Sequence, residues 1–140
     1  MTTRASQIPG VRHTPDNAPM LDAWAEGRLL VQRCSSCGTE FFYPRAVCPS
    51  CRSDDLTWQE NGGMGTIVSF SLVHKGLPEV FLSQVPVVLA EIQLDTGAAM
   101  IARVVSSRQA EIAIGDRVGL VDPSSARDFA LPTFRRLQEK

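Results

Sequence analysis

Hydrophobic and polar residues alternate with a period of two through much of the second half of the chain. This alternation predicts β-strands over residues 64–73, 87–95, 99–105 and 117–121, and a last strand over residues 129–137. The sets of residues that share one face of a predicted strand are Thr66, Val68, Phe70 and Leu72; Val88, Ala90, Ile92 and Leu94; and Met100, Ala102 and Val104. The second half of the chain is therefore predicted to be a small β domain.

Five strands that start with a long one and continue as a meander resemble an OB-fold barrel. A short chain with this many strands must close its sheet or leave strand edges exposed. Pro132 interrupts the last strand, and because proline cannot donate to a ladder, we predict that this strand lies at an edge. The predicted fold class is mainly β, with a five-stranded OB-fold barrel over residues 63–140.

A short helix is predicted near the start of the chain. Residues 1–16 are polar and interrupted by proline and glycine, which indicates a flexible arm. Asp16-Asn17 before Pro19 is typical of a helix start with a capping side chain. Two interpretations of the apolar face of this helix stay open. Either it packs on the chain's own body, or Leu21 and Trp24 anchor a partner protein, since tryptophan is a common hot-spot residue.

All four cysteines lie in two C-x2-C pairs, Cys34 with Cys37 and Cys48 with Cys51. This spacing lets a short hairpin fold four thiolates around one tetrahedral ion, which predicts a structural zinc ribbon. Rubredoxin-type iron is the minor alternative, because sites of four thiolates also accept iron. Four sulfurs leave no open coordination position, so the metal is expected to stabilise the fold and not to catalyse.

The segment between the cysteine pairs carries the aromatic run Phe41-Phe42-Tyr43. We predict that these side chains cover the metal site and the seam to the next domain; stacking on nucleic-acid bases is the functional alternative. The helix and the ribbon together are predicted to form one unit over residues 17–62.

Composition and charge narrow the function classes. The net charge of −1 and the isoelectric point of about 6.1 give no general attraction to polyanions, which argues against nucleic acid as the partner. No segment approaches the roughly 20 apolar residues of a membrane helix, and no secretory signal is visible, so we expect a reducing, cytoplasmic setting. His13 and His74 have no carboxylate at motif spacing, and no nucleophile elbow or phosphate loop is present. We therefore expect no catalysis by this chain alone.

Three motifs follow one another in a specific order: a helix over residues 19–28, a ribbon with C-S-S-C-G, F-Y-P-R and C-P-S-C, and a strand G-T-I-V-S-F from Gly65. In this order the chain, from about residue 17 to 137, resembles a family of small bacterial and archaeal proteins. Its members join a rubredoxin-like zinc ribbon to an OB-fold and accompany thiolase-like enzymes or acyl-CoA hydratases.

The resemblance implies a non-catalytic accessory subunit in a hetero-oligomer. The partner would be a thiolase-like enzyme or, alternatively, an enoyl-CoA hydratase, and this chain would stabilise it and help hold acyl-CoA. The resemblance also makes the four cysteines the zinc ligands. On this hypothesis Leu21, Trp24 and Phe81 would contact the partner, and Arg103 and Arg117 would meet CoA phosphates. A nucleic-acid-binding zinc-ribbon and OB protein is the alternative of another class.

Overall fold

The structure, a computed structural model, describes residues 11–77, 86–106, 111–124 and 131–137. Within these ranges the chain is mainly β, with one short helix, as the sequence predicts. The elements are α1 (Ala18–Ala25), β1 (Leu29–Cys34), β2 (Glu40–Phe41), β3 (Leu56–Asn61), β4 (Met64–Val73), β5 (Val87–Leu94), β6 (Ala99–Val105), β7 (Arg117–Leu120) and β8 (Thr133–Arg136).

Helix α1 starts where the sequence predicts, but its first turn has no side-chain cap. Asn17 occupies the N-cap position, yet its Oδ1 atom accepts the backbone N–H of Thr14 at 2.8 Å instead of a helical N–H. Its amide Nδ2 donates to the carbonyl of Arg12 at 3.1 Å. The predicted cap is therefore wrong because the Asn17 side chain holds the chain that enters the helix. Pro19 lies in the first turn as expected.

The ribbon is a three-stranded antiparallel sheet in the order β2-β1-β3. Strand β1 pairs with β3 along its whole length, from Leu29 opposite Asn61 to Cys34 opposite Leu56. Only two residue pairs join β1 to β2. The long β1–β3 ladder places Cys34 at the end of the sheet, where the chain turns into the first cysteine pair.

The five remaining strands form a closed barrel in the order β4-β5-β6-β8-β7. All described pairings are antiparallel except β6 with β8, which is parallel. This arrangement confirms the OB-like barrel. It also shows that the predicted edge position of the last strand is wrong, because β8 lies between β6 and β7. Pro132 directly precedes β8, so its missing N–H falls outside the ladder.

A β-bulge in β4 changes which residues face the core. The pairing of β4 with β5 shifts register between Ile67 and Ser69, so Val68 is left over. Ile67 is fully buried before the bulge, and Phe70 and Leu72 pack against the core after it. The predicted shared face of Val68, Phe70 and Leu72 is therefore broken, and Val68 is exposed.

One cluster of buried apolar residues runs through both sheets. It joins Met20 and Leu21 of α1 and Leu29 and Val31 of β1 to the barrel interior, which includes Phe134. The residues predicted to share one face in the second and in the third barrel strand are all buried: Val88, Ala90, Ile92, Leu94, Met100, Ala102 and Val104. The division into units over residues 17–62 and 63–140 stays a prediction.

Candidate metal centre and the surfaces around it

The four cysteine Sγ atoms converge to within 4.8 Å of one another. Cys34 Sγ lies 3.6 Å from Cys51 Sγ, and Cys37 Sγ lies 3.7 Å from Cys48 Sγ. Metal–sulfur bonds of about 2.3 Å in a tetrahedron place the sulfurs about 3.8 Å apart, so this cluster fits a tetrahedral ion. A disulfide needs a sulfur–sulfur distance of about 2.05 Å, and these thiols are all free. The cysteines are therefore positioned for metal binding.

The two cysteine pairs sit on turns of the same construction. The N–H of Gly38 donates to the carbonyl of Cys34 at 2.9 Å, and the N–H of Arg52 donates to the carbonyl of Cys48 at 2.9 Å. A second matching pair of bonds runs from Cys34 N to Thr39 O at 2.9 Å and from Cys48 N to Ser53 O at 2.8 Å. Each turn thus buries its first cysteine and exposes its second.

These turns need a left-handed backbone just after the second cysteine. Gly38 has a φ of +81°, which glycine adopts without strain. The equivalent residue of the other turn is Arg52, with a φ of +67°. Arg52 is the one non-glycine residue with a positive φ in the part of the chain that the structure describes. A side chain in this region costs about 1–2 kcal/mol, so the second turn stores strain that the first one avoids.

The thiols influence one another's protonation. Hydrogen bonds from the side chain and the backbone of Thr39 lower the pKa of Cys37 to about 6. The backbone N–H of Ser53 lowers the pKa of Cys51, but the hydrogen bond with the Cys34 thiol and partial desolvation outweigh it and raise this pKa to about 12. The cluster therefore holds some of its protons at neutral pH until a cation replaces them.

A buried glutamine fixes the segment between the two cysteine pairs. Gln32 on β1 donates from Nε2 to the carbonyl of Arg45 at 3.0 Å and accepts the Arg45 N–H on Oε1 at 2.9 Å. The Gln32 side-chain amide thus satisfies both backbone hydrogen-bonding groups of Arg45, as a neighbouring strand would do in a sheet. Sequence reasoning missed Gln32, because it stands beside Arg33 in β1 and nothing local shows that only Gln32 of the two is buried.

The same segment contacts the barrel through Tyr43. The N–H of Ile101 on β6 donates to the Tyr43 hydroxyl at 2.7 Å. Among the described residues, β8 pairs with β6 only from Arg103 onwards, so Tyr43 covers a stretch of β6 edge that β8 leaves open. Phe42 is buried, and its ring packs edge-on against Tyr43 with centroids 5.1 Å apart. Phe42 and Tyr43 lie at the seam, as the sequence predicts.

The predicted partner-binding residues lie in different places. Leu21 and Trp24 are only 5% and 3% exposed, and Trp24 packs with Val121 of the chain's own body. The intramolecular interpretation of this helix face therefore matches the structure, while a partner contact stays a prediction. Phe81 lies outside the described residues.

The two predicted CoA-binding arginines also differ. Arg103 is buried on β6. Arg117 is partly accessible, and its guanidinium binds both carboxylate oxygens of Asp95 at 2.7 and 2.8 Å and Thr66 Oγ1 at 3.0 Å. The Arg117 hydrogen bonds hold the pKa of Asp95 below its usual range. The two arginines lie on strands that are not neighbours in the barrel, Arg103 on β6 and Arg117 on β7.

Among the described residues, neither histidine belongs to a cluster of metal-ligand side chains. His13 Nε2 lies 3.5 Å from Asp22 Oδ1 in an exposed pair, and His74 is exposed at the end of β4. In the described ranges, the four cysteines are the one group of three or more ligand-type side chains close enough to share a metal ion. No helix in these ranges is long and apolar enough to cross a bilayer.

Two family models match consecutive parts of the chain. Residues 21–57 match the rubredoxin-like zinc ribbon domain of ChsH2, and residues 58–121 match the C-terminal OB-fold domain of ChsH2. Together they cover more than half of the chain and confirm the resemblance that its motifs indicate.

Individual proteins agree with these matches. A DUF35 domain-containing scaffold protein of Methanocaldococcus jannaschii is 32% identical over 112 residues, which are 79% of this chain and 70% of that protein. A probable enoyl-CoA hydratase alpha subunit of Thermomonospora curvata is 32% identical over 86% of this chain, which spans 37% of that protein. The solved Ltp2-ChsH2(DUF35) aldolase contains a chain that superposes with a TM-score of 0.75 and 31% identity, over 90% of this chain and 98% of that one.

Proposed function

We propose a function from one established premise: this chain belongs to the ChsH2 family, with a rubredoxin-like zinc ribbon and a C-terminal OB-fold. It acts as a non-catalytic accessory subunit of an acyl-CoA-processing complex, with a thiolase-like enzyme as its catalytic partner. It stabilises that partner and helps hold the acyl-CoA. The observation that carries the proposal is the likeness to a chain of the solved Ltp2-ChsH2(DUF35) aldolase, which extends over nearly the whole of that chain.

The metal centre supports a structural role in this proposal. We assign Zn²⁺ to Cys34, Cys37, Cys48 and Cys51, where a closed set of four sulfurs leaves no position for water or substrate. Zinc bound there would supply folding energy to the ribbon. Elemental analysis of the purified protein distinguishes zinc from iron, the minor alternative.

A contribution to acyl-CoA binding rests on the arginines. Arg117 is the more accessible of the two predicted residues, but a CoA phosphate would have to displace the Asp95 carboxylate from its guanidinium. Arg103 is buried, so it would reach a ligand only through a rearrangement of its surroundings. We therefore expect the partner to provide most of the binding energy for CoA.

A hydratase partner is the second candidate. The identity to the probable enoyl-CoA hydratase alpha subunit, over most of this chain, favours it specifically. The two candidates differ in the reaction of the complex, which is carbon–carbon bond formation or cleavage for a thiolase-like partner and addition of water for a hydratase.

The experiment is a pull-down of the tagged chain from its native lysate, followed by reconstitution with the recovered enzyme. We expect a thiolase-like or hydratase-like protein in stoichiometric amount. This chain alone should turn over no acyl-CoA, and the recovered enzyme should be more active and more stable with it. Robust turnover by the purified chain alone would refute the accessory role. Recovery of nucleic acid or of ribosomal proteins instead would favour the nucleic-acid alternative.

A further inference from the structure

The outward side of β5 and β6 exposes large apolar side chains that are neighbours. Cross-strand pairing places Glu91 opposite Ile101 and Leu89 opposite Arg103, so these four residues share one outward side of the two strands. Arg103 is buried there, and the other three side chains form the accessible part of this side. Ile101 is 63% exposed and Leu89 is 41% exposed. Opposed residues in an antiparallel pair have Cβ atoms about 5 Å apart and diagonal ones about 7–8 Å, so Leu89 and Ile101 form one patch.

The ribbon extends this patch beyond the barrel. Tyr43 is half exposed, and its hydroxyl accepts the backbone N–H of Ile101 at 2.7 Å, so its phenol group meets the edge of β6 at Ile101. We call Tyr43, Leu89, Glu91 and Ile101 together the seam face. Contiguous exposed apolar surface of this kind marks interaction sites, whereas scattered single residues do not.

The neighbouring strand leaves the seam face open to a partner. Ser69 of β4 pairs with Glu91, and Ser71 pairs with Leu89. Both serines are exposed and short. On the β4 side, these two positions therefore place no large side chain beside the seam face.

The seam face also carries one negative charge. The Glu91 carboxylate accepts a hydrogen bond from Ser69 Oγ at 3.3 Å. Arg103 lies diagonally across the ladder from Glu91 but is buried, and among the described residues no ion pair within 4.0 Å includes Glu91. A carboxylate that becomes buried in an apolar interface needs a cation and hydrogen bonds to offset its loss of water. The complementary surface is thus apolar with a lysine or arginine opposite Glu91.

We propose that the seam face is the docking surface for the catalytic subunit of the acyl-CoA-processing complex. The occupant is that enzyme, through an apolar patch with a basic side chain that pairs with Glu91. This inference rests on the proposed function and names the surface that serves it. Because Tyr43 belongs to the ribbon and the other three residues to the barrel, both parts of the chain take part in docking.

The chain offers a matched control in a second exposed isoleucine. Ile114 is 68% exposed, close to the value for Ile101, and lies in the turn before β7. Lysine at position 101 would face Glu91 and form a cross-strand ion pair, so the variant Ile101→Lys should fold. Lysine at position 114 places the same charge on the same type of exposed site, away from the seam face.

The test measures the affinity of each variant for the acyl-CoA enzyme that wild-type chain captures. We expect Ile101→Lys to weaken binding at least tenfold and Ile114→Lys to leave it unchanged. Glu91→Gln should weaken binding and reduce its dependence on salt concentration. Metal content and thermal unfolding show whether each variant is folded, and Leu89→Gln replaces Ile101→Lys if that variant is not.

The outcomes separate the surface from the function. If wild-type chain captures no acyl-CoA enzyme, the proposed function and this inference both fall. If it captures one and folded Ile101→Lys binds it as well as Ile114→Lys does, the accessory role stands and the seam face is refuted. If Ile101→Lys instead converts a dimer of this chain into monomers, the occupant is a second copy and the proposal is wrong.

Discussion

The strongest test of how the ribbon is built is the variant Gln32→Met. Methionine has nearly the volume of glutamine, so it fills the buried space but cannot make either hydrogen bond to the Arg45 backbone. Each bond contributes about 0.5–1.5 kcal/mol, so the loss of both should lower the free energy of unfolding by about 1–3 kcal/mol. A loss of about 2 kcal/mol corresponds to about 30-fold in the equilibrium constant for unfolding.

The assay is urea denaturation of the metal-loaded protein, together with the rate at which a chromogenic chelator removes the metal. Gln59→Met is the matched control, because Gln59 is an exposed residue of the adjacent strand β3 and should change stability by less than about 0.5 kcal/mol. We expect faster metal release from Gln32→Met alone, since Arg45 lies between the cysteine pairs. If Gln32→Met matches the control in both measurements, the Gln32 side chain does not hold this segment.

Three further predictions concern the metal centre. Cys48→Ala removes a buried ligand, so the metal content should fall well below that of wild type and the ribbon should unfold, since zinc contributes about 10–16 kcal/mol to the folding of small zinc peptides. Full metal content by elemental analysis together with an unchanged unfolding transition would refute this. Metal affinity, measured by chelator competition, should rise about tenfold per pH unit from pH 7 to 9 for each proton that binding releases. In this range Cys37, with a pKa of about 6, is already ionised, whereas Cys51, with a pKa of about 12, must lose its proton to the solvent. An affinity that does not change with pH would contradict this. Arg52→Gly should raise the free energy of unfolding by about 1 kcal/mol in urea titrations, and Gly38→Ala should lower it by about 1–2 kcal/mol, because both positions have a left-handed backbone. If Arg52→Gly is no more stable than wild type and Gly38→Ala is no less stable, these turns store no strain.

The sequence predicted best where one local rule decides the structure. Strands β5 and β6 were predicted nearly to the residue, because strict alternation places every second side chain in the barrel. The cysteine cluster followed from spacing alone, since two C-x2-C pairs have few other arrangements that bring four sulfurs together. These features depend on residues that are close in the chain.

Predictions from the sequence failed where contacts between segments distant in the chain determine the structure. The parallel pairing of β8 with β6 closes the barrel over a long connection, and no local pattern distinguishes such a strand from an edge strand. The bulge at Val68 follows from a register that β5 imposes on β4. Gln32 has a polar neighbour, Arg33, and its hydrogen-bond partner lies 13 residues away, so no motif points to it. Arg103 is buried, which strand alternation by itself cannot reveal.

Because the backbone amide of Ile101 in the barrel donates its hydrogen bond to Tyr43, its hydrogen exchange should depend on whether the ribbon is folded. Its exchange with deuterium should be slow while the ribbon is intact and should accelerate when metal is removed, before the rest of β6 loses protection. Loss of metal from the ribbon would then alter the barrel surface at Ile101 through its hydrogen bond with the Tyr43 hydroxyl. Docking at the seam face would then depend on the metal, although none of the four cysteines belongs to that face.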